Sequence, residues 1–234
     1  MTVKTLQFLD ISTGSAVVLR PRELVIAGFT GADQESVREH IQELADHGIM
    51  PPPHIPIFYR APVSLLTQDE AIVVSSKESS GEVEPVLICA EDDWYLALGS
   101  DHTARDVEKE SIPESKVSCP KPVGKSVIPL REAAGDWKNS RIRSYADGAL
   151  YQEAPLADIL PAQEILDSYR KSSGSSTSGL VMFLGTVPLK SKSFEFATHF
   201  TAELVKDGAV VLSCSYGIAS RSDRTHNQER TETV

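Results

Sequence analysis

The sequence predicts an α+β fold that is mostly β. Short apolar runs of strand length recur along its 234 residues, and gaps rich in Gly, Pro, Asp and Ser separate them, which points to antiparallel or mixed pairing. Only two stretches carry a sustained helical period.

Thr5 to Leu9, Ala16 to Leu19 and Glu23 to Ala27 read as strands of an N-terminal β segment. Gly31-Ala32-Asp33 is a turn, and Asp33 or Ser36 can cap a helix running to His47, with Val37, Ile41, Leu44 and Ala45 at helical spacing and Gly48 closing it. Beyond the rigid Pro51-Pro52-Pro53, strands are expected at Ile55 to Arg60, Ala71 to Ser75, Glu84 to Cys89 and Trp94 to Leu98. Asp106 to Glu110 reads as a short helix and Pro113 to Pro122 as a loop. Ser140 to Tyr145 and Ala149 to Gln152 flank Asp147-Gly148, a hairpin turn signal. Pro161 to Lys171 forms the second helix, with Ile165, Leu166 and Tyr169 inward, and Ser172 to Gly179 a flexible small-residue loop. Strands return at Leu180 to Leu184, Phe194 to Leu204 and Ala209 to Tyr216. The division expected is a β segment over 1–30 packed on a main domain of 31–218, with a polar tail over 219–234.

Bulk properties narrow the function. A net charge of -10 argues against nucleic acid. No run approaches the roughly 18 apolar residues of a membrane span, and the N-terminus lacks an apolar leader core. The three cysteines, Cys89, Cys119 and Cys214, have no metal-ligand spacing and suit a reducing compartment. A cytoplasmic protein with no nucleic-acid or membrane partner is expected.

The most informative local pattern is Glu82-Val83-Glu84 followed by Asp101. On a strand, Glu82 and Glu84 share a face. Joined by Asp101 they would make an all-oxygen set that repels itself unless a cation neutralises it, and a hard ion such as Mg²⁺ or Mn²⁺ suits it. Spacing alone leaves a second reading open, in which the two glutamates line the solvated face of an antiparallel strand. His40 and Glu43 are neighbours on one helix face and read either as a general-base dyad or as a surface ion pair. Gly124-Lys125-Ser126 invites a phosphate-loop reading, but the first Gly that the motif needs is replaced by Cys119, and Pro120 and Pro122 remove backbone donors. Lys125 then reads as a partner for a substrate carboxylate or as a solvated lysine, with Lys121 competing for that role. His102, next to Asp101 on an extended segment, faces away from it and reads as structural.

Several of these segments carry a family likeness. Leu98-Gly99-Ser100-Asp101-His102-Thr103-Ala104-Arg105-Asp106 resembles the Asn-Asp-x-Ser-Ala-Arg-Asp signature of the fumarylacetoacetate hydrolase superfamily. Glu82-Val83-Glu84 is similar to its Glu-x-Glu strand, and Gly124-Lys125-Ser126 to its Lys-Ser segment. Glu39-His40-Ile41-Gln42-Glu43 resembles its Asp-His-x-x-Glu helix, and Ser178 to Pro188 its Gly-Asp-x-Ile-x-x-Gly-Thr-Pro strand. Ser100 for Asn, Thr103 for Ser, Pro85 after the Glu pair and Glu108 for Gln mark a divergent branch.

The resemblance implies a mixed β-roll with flanking helices, dimeric as most relatives are. It implies Mg²⁺ or Mn²⁺ on Glu82, Glu84 and Asp101, a lid helix whose His40, assisted by Glu43, activates water, and Lys125 as the substrate's cation. Arg60, Arg105 and Thr186 are the substrate-binding candidates, although Arg105 could instead hold a site carboxylate in place. The implied substrate is a small carboxylate, a 2-oxo or β-diketo acid, whose C–C bond is hydrolysed through a metal-stabilised enolate. Decarboxylation, isomerisation and dehydration share that enolate. A non-catalytic binding module on the same fold, and a scaffolding subunit, are the alternatives of another class.

Overall fold

The computed structural model describes residues 4–46, 50–173, 177–191 and 193–221, the side chains of His40 and Leu44 excepted. The expected closing residues of the first helix, His47 and Gly48, and most of the C-terminal tail lie outside this set, as do residues 174–176 of the small-residue loop.

Strands β1 (Leu6–Asp10), β2 (Ala16–Leu19) and β3 (Glu23–Gly28) precede helix α1 (Gln34–Asp46). Then come β4 (Ile57–Ala61), β5 (Leu66–Thr67), β6 (Ala71–Val74), β7 (Ser79–Ser80), β8 (Val83–Ala90), β9 (Asp93–Ser100) and β10 (Thr103–Ala104). Two short helices, α2 (Arg105–Glu108) and α3 (Ile112–Ser118), lead into β11 (Lys121–Pro122), β12 (Ser126–Pro129) and α4 (Leu130–Asp136). The hairpin β13 (Ser140–Ala146) and β14 (Ala149–Pro155), helix α5 (Ala162–Ser173), β15 (Leu180–Phe183), β16 (His199–Lys206) and β17 (Ala209–Ser220) follow. Asp147 and Gly148 both have positive φ, as a two-residue hairpin turn demands.

Two sheets dominate. One has eight strands in the order β2-β1-β12-β9-β8-β15-β3-β4, and the other five in the order β14-β13-β16-β17-β6. Pairing is mixed: β15 runs parallel to β3 and antiparallel to β8. The first three strands are thus members of the large sheet, with β3 inside it.

Strand β8, inside that sheet, is buried on both faces, so from Pro85 onward it is a continuous apolar run rather than an alternating one. Val83, Leu87 and Cys89 turn toward one core cluster, which α5 joins through Ile165, Leu166 and Tyr169. Val86, Ile88 and Ala90 turn toward another, with Phe8, Leu24 and Phe183. Among the described residues no helix is long and apolar enough to cross a membrane.

The structure corrects three local expectations. Pro113 to Pro122 is not simply a loop, because Ile112–Ser118 is helical. Ser111 caps it by accepting from the Glu114 backbone N–H, and Pro113 sits in its first turn. Residues 126–129 form a strand and 130–136 a helix where none was assigned. The strand expected from Phe194 begins only at His199.

The turn after β9 is locked from inside. His102 is fully buried, with Nδ1 3.0 Å from the Tyr216 hydroxyl and Nε2 3.1 Å from Ser79 Oγ. Tyr216 donates to Ser100 Oγ, which also accepts the Glu82 backbone N–H. Burial, reinforced by Lys121 and Arg105, holds the His102 pKa down at about 3. The unfolded histidine takes up its proton near 6.5, so the unfolded state binds more protons between the two values. The His102 contribution is therefore complete above about pH 6.5 and is lost as pH falls toward 3. Stability should drop by up to about 1.4 kcal/mol per pH unit in that window. Denaturant unfolding at pH 7 and pH 5 should show a smaller pH loss in His102→Gln than in the natural chain. Equal losses would remove His102 as the cause.

Candidate metal centre

The site forms where β8 enters and β9 leaves the large sheet. Val83 pairs with Ser100 and Glu84 with Gly99, and the Asp101 N–H donates to the Glu82 carbonyl. Alternation then puts Glu82, Glu84 and Asp101 on one face, the face of Val86 and Ile88. One oxygen from each carboxylate lies within 4.8 Å of the others. Asp101 is fully buried and Glu84 nearly so. The set has the chemistry of a hard-ion site, oxygen donors on rigid strands.

The strand end is fixed by side chains rather than by a neighbouring strand. The β8–β15 ladder stops at Val86–Phe183. Beyond it, Gln152 Oε1 accepts the Val83 N–H at 3.0 Å, and the Thr186 hydroxyl donates to the Val83 carbonyl at 2.8 Å. Gln152 Nε2 donates to Thr186 Oγ1 and to the Val187 carbonyl. Gly185, at φ 98°, aims its N–H at Glu84 Oε2, 2.9 Å away. A Cβ there would meet Thr30 Oγ1 at 2.0 Å, so the position requires glycine.

Three cations balance the three acids. Lys116, on α3, reaches Asp101 Oδ2 at 2.6 Å and Glu82 Oε2 at 3.8 Å. Lys121 meets Asp101 Oδ1 at 2.5 Å, a charge contact without hydrogen-bond alignment, and donates to the His102 carbonyl at 2.8 Å. Both members of that pair are fully buried. Lys121 gets there because its loop crosses Gly99, where Pro122 O would be 2.7 Å from any Cβ. Arg105 lies 3.0 Å from Glu82 and 2.6 Å from Glu108, donates to Ser80 Oγ at 2.8 Å, and has the Phe194 ring centroid 4.1 Å from its guanidinium.

The electrostatics follow from this pairing. Burial alone would raise the Asp101 pKa, but Lys116 and Lys121 override it and hold the group at about 2. Burial would lower Lys116, yet Asp101 and then Glu82 raise it above its ordinary value. Among the described residues Glu84 has no lysine in contact. Burial and then the Asp101 charge push it well above the usual carboxylate range.

The candidates chosen from sequence divide accordingly. Glu82, Glu84 and Asp101 come together. Lys125 does not join them: it is exposed at the start of β12, where its carbonyl accepts from Leu9, and the lysines at the acids are Lys116 and Lys121. Arg60 is also outside the site, 60% exposed and paired with Glu23 at 3.0 Å. Its neighbour Tyr59 faces the other way, with its hydroxyl in the field of Lys116 and Glu108. Arg105 is engaged with protein groups, so it positions Glu82 rather than offering a free guanidinium to a substrate. Thr186 commits its hydroxyl to Val83. Glu43 is exposed on α1, while the His40 side chain lies outside the described residues.

The sequence reading missed Lys116 and Gln152. Lys116 was legible in principle, since Ser111-Ile112-Pro113-Glu114 is a capping-box start for the helix that carries it. Gln152 had no signal beyond its place in a hairpin strand.

Solved structures share the architecture. A fumarylpyruvate hydrolase from Pseudomonas aeruginosa, in complex with Mn²⁺ and pyruvate, matches at TM-score 0.65 and 16% identity, covering 94% of this chain and 98% of that one. A yeast fumarylacetoacetate hydrolase family protein matches at 0.61 and 17%, covering 86% and 94%. A 2-hydroxyhepta-2,4-diene-1,7-dioate isomerase from Mycobacterium marinum matches at 0.63 and 14%, covering 89% and 82%. No curated protein matches the sequence. The fold anticipated from the Glu-x-Glu and Arg-Asp segments is therefore present, a mostly-β roll of the fumarylacetoacetate hydrolase type. Within that fold the chain belongs to DUF2848, a family of proteins of unknown function whose family model matches residues 27–216.

Proposed function

We propose that the protein is a divalent-metal-dependent enzyme that acts on a 2-oxo or β-diketo acid and hydrolyses a C–C bond through an enolate. The observation that carries this reading is the trio of buried Glu84 and Asp101 with half-buried Glu82, whose donor oxygens lie within 4.8 Å of one another. Such a set suits Mg²⁺ or Mn²⁺, and the same fold holds Mn²⁺ and pyruvate in the Pseudomonas enzyme. The ion would supply Lewis acidity, drawing negative charge toward a substrate oxygen.

The remaining work falls to the chain's own groups. Lys116, not Lys125, is the lysine on α3 whose ammonium lies against these acids. Arg105 keeps Glu82 oriented, and the Gln152–Thr186 clamp holds the backbone between the two glutamates. His40, oriented by Glu43 three residues further along α1, would take a proton from the attacking water once the helix closes over the site. Isomerisation is the second reading, favoured by the isomerase among the structures of this fold. It would use the same acids and dispense with the water. A homodimer belongs to this proposal through the family resemblance, and a cytoplasmic location through the cysteine pattern.

Mn²⁺ or Mg²⁺ should raise the melting midpoint of EDTA-treated protein, and oxalate, an enolate mimic, should enlarge the rise. Ion at a hundredfold excess over Kd adds about 2.7 kcal/mol. Glu84→Gln should abolish the shift. An unresponsive natural chain would return the trio to a purely structural acid cluster.

In a 2-oxo acid turnover assay, His40→Ala should lower kcat about 10²- to 10⁴-fold while leaving the Mn²⁺-induced melting shift intact. Unchanged turnover would remove His40 from the chemistry.

A further inference from the structure

Both oxygens of Asp101 are already taken by lysines, but on different terms. Oδ1 belongs to Lys121, which is fully buried and also tied to the His102 carbonyl. Its loop is pinned over Gly99 by hydrogen bonds from Val123 to Thr67 and from Gly124 to Leu98. Nothing in that arrangement gives the ammonium room to leave. Oδ2 belongs to Lys116, which arrives from a seven-residue helix outside the sheets, keeps 11% of its side chain exposed, and makes only a long second contact, 3.8 Å, to Glu82. A lysine ammonium on a flexible four-carbon stem can swing away without moving the backbone.

The Lys116 ammonium therefore lies against two of the three carboxylates that would hold an ion. A divalent cation and an ammonium cannot both contact Asp101 Oδ2 and Glu82 Oε2 without strong repulsion at such distances. Glu84, the acid with no lysine in contact, is the group the ion would gain outright.

We propose that Lys116 is the resident counter-ion of the carboxylate trio, and that a divalent ion binds by displacing its ammonium from Asp101 and Glu82 while Lys121 stays in place. This rests on the metal reading above and adds the exchange. Lys116 stabilises the acids before the ion arrives and weakens the ion's binding, so the site selects for loading at high metal concentration.

The test is Mn²⁺ binding to EDTA-treated protein, followed by calorimetry and by the electron paramagnetic resonance of free Mn²⁺. The natural chain is compared with Lys116→Met and Lys116→Gln. Removing the competing ammonium should tighten Mn²⁺ binding at least tenfold. A second readout needs no variant. Amine-reactive labelling of the natural chain, mapped by mass spectrometry with the exposed Lys138 as internal reference, should be slow at Lys116 without metal and faster with Mn²⁺. Equal or weaker Mn²⁺ binding by folded Lys116 variants, or Lys116 labelling that Mn²⁺ leaves unchanged or slows, would overturn the exchange and leave the metal reading standing. No Mn²⁺ binding by the natural chain or either variant would overturn the metal reading and the exchange together.

Discussion

Three carboxylates held within 4.8 Å at the end of a strand buried on both faces set the terms for everything around them. Moving one such charge out of water costs several kcal/mol, and like charges at that spacing add to the cost. The fold answers with three cations from three separate pieces of chain: Lys116 from α3, Lys121 from the strand that follows, and Arg105 from α2. This explains the layout of residues 100–125. The chain leaves β9 at Asp101, makes two short helices, and returns across Gly99 within hydrogen-bonding distance of where it left. Each turn delivers one positive group to the acids. Phe194 covers the outer face of Arg105, which keeps water from competing with Glu82 and Glu108 for the guanidinium.

The legible part of this site was the part governed by strand periodicity. A period of two puts Glu82 and Glu84 on one face without any knowledge of tertiary structure, the family resemblance adds Asp101, and the structure shows Asp101 one step beyond the paired Ser100. Arg60 was taken from the family resemblance, and on β4 the same period turns it away from the acids while its neighbour Tyr59 faces Lys116 and Glu108. Lys125 failed for a different reason. The loop from Cys119 to Gly124 is placed by a parallel pairing of β11 with β5 and by the close approach at Gly99. Neither contact leaves a local pattern, so nothing in the sequence separated the buried lysine from the exposed one four residues later. Most of the sheet was legible, as were α1, α5 and the Asp147-Gly148 hairpin. The helices near 112–118 and 130–136 were too short to carry a period.

What remains is why Glu82 keeps some exposure next to a strand buried on both faces. The β8–β15 ladder ends at Val86, two residues from Glu84 and four from Glu82, because β15 gives way to Gly185 in a left-handed conformation. Strand β8 continues without that partner, and its orphaned Val83 groups are met by the Gln152 amide and the Thr186 hydroxyl. Replacing a strand by two side chains keeps the backbone satisfied at full burial and leaves no rigid neighbour beside Glu82. Lys116 reaches Glu82 from α3, with Glu108 and the Tyr59 hydroxyl in its field. The acids are held by paired strands on one side and by the side-chain charge of Lys116 and Arg105 on the other.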